Sequence, residues 1–161
     1  MKNLINITLC LLIASLSLTS CGDDEPSVAT SREVSFADSY GKSLSGIAYV
    51  FPYATNYNPT TFLSINTALA AGKIFAEIET TDGEKVKSLD MLPIPKDSYC
   101  NWDNINPGKY YIIGYAFEYV TGSGMPYMIS RWKAKVVDIE KNSTGKIIFT
   151  FSSENGYQGE D

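Results

Sequence analysis

The side chains best suited to chemistry are scarce in this chain, which contains no histidine and three cysteines, Cys10, Cys21 and Cys100. Without an imidazole, a Ser-His-Asp or Cys-His pair lacks its base and a His-bearing zinc site lacks its ligands. Cys100 as a nucleophile would need another activator. Its place in Tyr99-Cys-Asn-Trp102, a stretch with the pattern of a strand, suits a small buried hydrophobe better. Carboxylates are more plentiful. Glu77 and Glu79 share one face of an expected strand and, with Asp103, Glu118, Asp138 and Glu140, offer the two acids a glycosidase needs, but any solvated strand face looks the same. Asn101, Asp103, Asn104 and Asn106 could supply oxygen ligands to calcium. Their spacing is not that of an EF-hand, and Asx residues belong in turns for backbone reasons of their own. The expectation is a protein that is not an enzyme and uses no metal or cofactor.

Cys21 differs because of what precedes it. Met1, Lys2 and Asn3 give a short positive start, and Leu4 to Leu18 form an apolar run interrupted by Asn6, Thr8, Ser15 and Ser17. A membrane-spanning helix needs about 20 apolar residues, so the run reads as a secretory signal. Leu18-Thr19-Ser20-Cys21 resembles the lipobox of bacterial lipoproteins. That resemblance implies that residues 1–20 are removed, that the Cys21 thiol receives a diacylglyceryl group and that the new amine is acylated. Each buried methylene contributes about 0.8 kcal/mol, so two or more chains anchor the protein stably in a membrane where one is marginal. Ordinary secretion with a chance cysteine is the alternative. Residues 21–31 lack apolar periodicity and read as a flexible tether. Its Asp23-Asp24-Glu25 cluster resembles the surface-export signal of Bacteroidetes lipoproteins, which implies an outer-membrane protein facing the cell surface; a merely solvated spacer would look alike. With Cys10 removed and Cys21 lipidated, Cys100 has no disulfide partner in the mature chain.

The elements that must position any site lie in residues 32–152, one domain's worth of chain. The formal charge of the 161 residues is −5, but Arg32 to Ser152 holds twelve acids and twelve bases; the surplus sits in the tether and in residues 153–161, expected to be a flexible tail. A nearly neutral domain carries no electrostatic footprint for nucleic acid. Period-two patterning, rich in aromatic and β-branched residues, predicts strands over Arg32 to Asp38, Gly46 to Tyr53, Lys73 to Thr80, Lys85 to Met91, Tyr99 to Ile105, Lys109 to Val120, Tyr127 to Glu140 and Lys146 to Ser152. Asp82-Gly83 suits a tight hairpin, Pro107-Gly108 a type II turn, and Gly122-Ser123-Gly124 a hairpin tip. Between Asn56 and Gly72, Phe62, Ile65 and Leu69 recur at helical spacing behind a possible Thr61 cap, which favours a short helix over a strand. The predicted fold is all-β, a single antiparallel β-sandwich of seven to eight strands with one short helix.

Two segments, Phe36-Ala-Asp-Ser-Tyr-Gly-Lys-Ser-Leu-Ser-Gly46 and Trp102-Asp-Asn-Ile-Asn-Pro-Gly-Lys-Tyr110, resemble the carboxypeptidase regulatory-like domain, a transthyretin-like β-sandwich family. The resemblance covers about a third of the domain, departs from the family at Ser43 and in the long Ala54 to Gly72 segment, and implies a non-catalytic accessory role. If Tyr110 points inward as in that family, Tyr111, Ile113, Tyr115, Phe117 and Tyr119 form an aromatic stripe on the opposite face. Three readings stay open for it: the Asn56 to Gly72 segment covers it, it is the core itself with the faces inverted, or Tyr111, Tyr115, Phe117 and Tyr119 form a binding platform. The functional expectation is a lipid-anchored binding or accessory module for a glycan, peptide or protein; the alternative is a structural or assembly subunit that docks to other envelope proteins.

Overall fold

A computed structural model describes residues 29–65, 73–122 and 124–161. The expected signal, Cys21, the acidic cluster, Leu69, Gly72 and Ser123 lie outside these residues. The fold is all-β, with ten strands: β1 (Ser31–Asp38), β2 (Ser43–Pro52), β3 (Glu77–Glu79), β4 (Lys85–Lys87), β5 (Asp90–Ile94), β6 (Cys100–Asp103), β7 (Gly108–Val120), β8 (Tyr127–Ile139), β9 (Lys146–Phe151) and β10 (Gly156–Glu160). A small leaf runs β6-β1-β9 and a large leaf runs β5-β2-β7-β8-β10. The first residues of β2 pair with β1, Phe36 opposite Leu44, and this corner joins the leaves into a sandwich.

Side-chain size explains how the leaves close on one another. The small leaf contributes large rings, Phe36 from β1 and Phe149 and Phe151 from β9; Phe36 meets each of the other two edge to face at 5.4 and 5.3 Å between centroids. The large leaf answers with its smallest residues, since Gly46 pairs with Ala116 and Ala48 with Gly114 on β2 and β7. A Cβ on Gly114 would lie 3.0 Å from both Phe36 and Phe149, so the absent side chain is where the rings go. Around them Val34, Leu44, Val50, Leu92, Ile94, Ile112 and Ile147 complete the inner core.

A second core lies on the opposite face of the large leaf. Tyr49, Phe51, Tyr111, Ile113, Tyr115 and Ala134 point there and are covered by Tyr57, Phe62, Ile65, Ala76 and Ile78. The cover is a 3₁₀ turn, Pro59–Leu63, together with the β3–β4 hairpin. Asn58 caps the turn, its side chain accepting from the Thr60 N–H at 3.1 Å, with Pro59 at the first position. Thr61, expected as the cap, instead accepts the Glu79 N–H at 3.0 Å, and Asn58 donates to the Glu79 carbonyl at 2.8 Å, so turn and hairpin form one lid. Of the expected helix, residues 59–63 form this tighter turn and Ser64 and Ile65 are α-helical, while residues 66–72 lie outside the described residues. With the lid on one face and the small leaf on the other, β7 is buried on both sides, which is why Tyr111 to Ala116 are all buried in succession.

Several local expectations are corrected. The strand expected over Lys73 to Thr80 is confined to β3, and Lys85 to Met91 divides into β4 and β5, two strands in different layers. β5 runs on through Pro93, which is tolerated because β5 ends the large leaf. Gly83 takes the left-handed conformation at φ 82°, but Asp82 does not, so the β3–β4 connection is wider than a two-residue hairpin. Gly108 has φ 149°, far from the ~80° of a type II turn; the corner into β7 is made with Asn104 at φ 55° and is pinned by the Tyr110 hydroxyl donating to the Asn106 carbonyl at 2.7 Å. The expected flexible tail contains β10, which pairs in parallel with β8. Tyr157 packs edge to face on Phe62 at 5.4 Å, and the Tyr111 hydroxyl donates to Glu160 at 3.0 Å. Two pairings, β1–β9 and β8–β10, are thus parallel within an otherwise antiparallel sandwich.

Candidate functional site

The structure divides the aromatic stripe of β7. Tyr111 is 3% exposed and Tyr115 fully buried, Phe117 is half-buried, and Tyr119 is 76% exposed. Tyr115 stacks on Trp132 of β8 with centroids 5.4 Å apart and planes at 7°, and Tyr111 lies between Tyr57 and Phe62 of the lid. Burial, reinforced by the Glu160 carboxylate, pushes the Tyr111 hydroxyl well above the ordinary tyrosine range. Tyr111 and Tyr115 are therefore core residues and no platform, because the lid occupies the space a ligand would need. The facing deduced from Tyr110 holds: the stripe lies opposite the inner core and is covered by Phe62 and Ile65 from the expected segment, with Ala76 and Ile78 of the lid hairpin beside them.

Beyond the lid the same strand emerges into solvent. β2 accompanies β7 only as far as Phe117, opposite Ser45, and β10 joins β8 only from Arg131. Residues 118–120 and 127–129 therefore pair only with each other and form a projecting finger. At its end Tyr119 faces Met128 across the ladder, and both are exposed, as are Met125 and Tyr127. From Tyr119 to Ser130 there is no charged residue. An uncharged finger with tyrosine and methionine on its surface is what a protein interface would use and what water alone does not favour.

The base of the finger is held rigidly. Glu118 accepts from Lys42 of the β1–β2 turn through Oε1 and from Arg131 Nη2 at 3.0 Å through Oε2. Arg131 is 4% exposed, and its Nε and Nη1 find no acceptor among the described residues. Hydrogen bonds from Lys42 and Arg131 hold the Glu118 carboxyl below its ordinary value of 4.5. On the opposite side of the finger Ser130 donates its N–H to the Asn155 side chain at 3.0 Å. Sequence reading passed over Met125 and Met128 because the signal was an absence, twelve consecutive residues without charge around a glycine tip.

The other chemistry-bearing residues stay apart. Cys100 is half-buried against the inner core, and burial, then Asp90 and Asp103, pushes its thiol up, away from thiolate reactivity. Glu77 and Glu79 lie opposite Lys87 and Lys85 in the register of the lid hairpin, with Glu77 exposed and Glu79 half-buried. Asn101 and Asp103 pair with β1 through their backbone, and Asn104 turns the following corner at φ 55°. Among the described residues no group of three or more His, Cys, Asp and Glu is placed to hold a metal ion. Comparison with family models, with curated proteins and with solved structures finds no match to this chain.

Proposed function

We propose that the chain is a non-catalytic binding module, anchored through lipid on Cys21 to the outer membrane and facing the cell surface, and that it engages a partner protein of the envelope through the end of the β7–β8 finger. The observation that carries the docking is the exposure of Tyr119, Met125, Tyr127 and Met128 on an uncharged hairpin whose base is clamped by Lys42, Glu118 and Arg131. Tyrosine rings on a fixed support lose little freedom on binding, and the flexible methionine side chains adapt to a partner's surface, which favours both at an interface. The transthyretin-like relationship belongs to the same proposal. Its two segments form the β1–β2 and β6–β7 connections, the first of which supplies Lys42 to the clamp.

Two experiments test the two halves of this reading. Cys21→Ala is expected to abolish fatty-acid labelling and release the protein from the membrane fraction; labelling at the wild-type level would end the lipid-anchor reading. For the finger, a photo-crosslinking residue placed at Met125 should capture a discrete partner in intact cells, while the same residue at Glu84 on the lid should not. Tyr119→Ala combined with Tyr127→Ala should remove that crosslink while changing stability by less than about 1 kcal/mol, as at surface positions. Equal capture from both positions, or a crosslink indifferent to the two tyrosines, would refute docking at the finger.

A further inference from the structure

We infer that the outer face of the small leaf carries a second binding site, for a neutral saccharide. The site is a groove of about 490 Å³, within the roughly 300–1,000 Å³ of small-ligand pockets, and it forms where β1 changes partners. β6 accompanies β1 from Ser31 to Val34 and β2 takes over at Phe36, so Ser35 lies at a gap between them. Val34 and Phe36 point into the core, which leaves Ser35 and Ala37 on the outer face as a floor of short side chains. Ile148 of β9 and Tyr99, each 47% exposed, line the groove. Asp97 also lines it, in a loop fixed by the Ser43 hydroxyl, which accepts the Asp97 N–H at 2.7 Å.

The ligand class follows from what the groove offers and withholds. Its one lysine, Lys146, is already paired with Glu33 at 3.1 Å, and Asp97 adds an exposed carboxylate, so an anion is disfavoured. A peptide seeking a free strand edge finds none on the floor, because β1 is paired with β9 on one side and with β6 and then β2 on the other. An apolar patch formed by Tyr99, Ile148 and Ala37, bordered by serine hydroxyls and the Asp97 carboxylate, matches a sugar ring. Such a ring has a C–H face that packs on an aromatic side chain and an edge of hydroxyls that seek acceptors. This site shares no residue with the finger and does not depend on the reading given for it.

The test is calorimetric titration of the full chain, held in a zwitterionic detergent so that no glycoside competes, with maltohexaose, cellohexaose, xylohexaose and mannohexaose, and with hexagalacturonate as the charged control. At least one neutral hexasaccharide is expected to bind in the micromolar to millimolar range. Tyr99→Ala and Asp97→Asn should each weaken it at least about tenfold. Asparagine tolerates the φ of 60° at position 97, so that variant keeps its loop. Ile148→Ser gives an independent reading if Tyr99→Ala folds poorly. Absence of binding by all four neutral sugars at about 10 mM, equal affinity in all three variants, or tighter binding of hexagalacturonate would overturn the proposal.

Discussion

Gly46→Ala is expected to cost more than about 4 kcal/mol and to leave most of the chain unfolded, although alanine is an ordinary strand residue and no positive φ is involved. The reason is space. A Cβ at position 46 would lie 2.0 Å from the Tyr115 carbonyl oxygen and 2.9 Å from both the Ala116 Cα and the Phe36 ring. Two of these neighbours are backbone of β7, held in register with β2 over eight residue pairs, so they cannot yield without breaking the ladder. The third is wedged between Phe149 and Phe151. A domain of this size has only about 5–15 kcal/mol of total stability to lose. Gly41→Ala is the control, since nothing lies within 4 Å of its Cβ and only the φ of 83° is strained; it should cost about 1–2 kcal/mol. Urea melts of both variants beside wild type give the comparison, and a Gly46→Ala midpoint at or above that of Gly41→Ala would show that the close approach of β2 and β7 is not as described.

That glycine shows what the sequence could and could not disclose. Alternation made β1, β2, β6, β7, β8 and β9 legible, because each has at least one face in a core and period two records it. The strand β10 escaped because Gly156-Tyr-Gln-Gly-Glu160 has two glycines, at φ 92° and 95°, and only one apolar side chain; tertiary contacts of Tyr157 and Glu160 make it a strand. The parallel partnership of β1 and β9 is equally silent, since strands distant in sequence leave no local mark of being neighbours. At the candidate surfaces the difference is sharper. Tyr111 and Tyr119 read alike in the stripe, eight residues apart on one face, yet one is buried and the other exposed because the lid ends between them. Where a lid ends depends on the packing of Phe62, Ile65 and Ile78, and a pattern within β7 cannot encode it.

Tyr115→Ala turns that boundary into a measurement. Its ring is fully buried, stacked on Trp132, tilted 4.9 Å from Phe117, and surrounded by the second core. Removing it strips a large aromatic surface and leaves a cavity between β7 and the lid that the paired strands cannot collapse to fill, so the expected loss is about 3–5 kcal/mol. Tyr119→Ala, four residues along the same strand face, removes the same atoms from a position 76% exposed. It should cost less than about 1 kcal/mol. The two substitutions are chemically identical, so β propensity cancels between them and the difference reports burial alone. A ligand platform across the whole stripe would instead give small, similar losses at both positions. Denaturant midpoints that differ by less than the equivalent of about 1 kcal/mol would therefore overturn the second core as described, and with it the placement of the functional surface at the end of the finger.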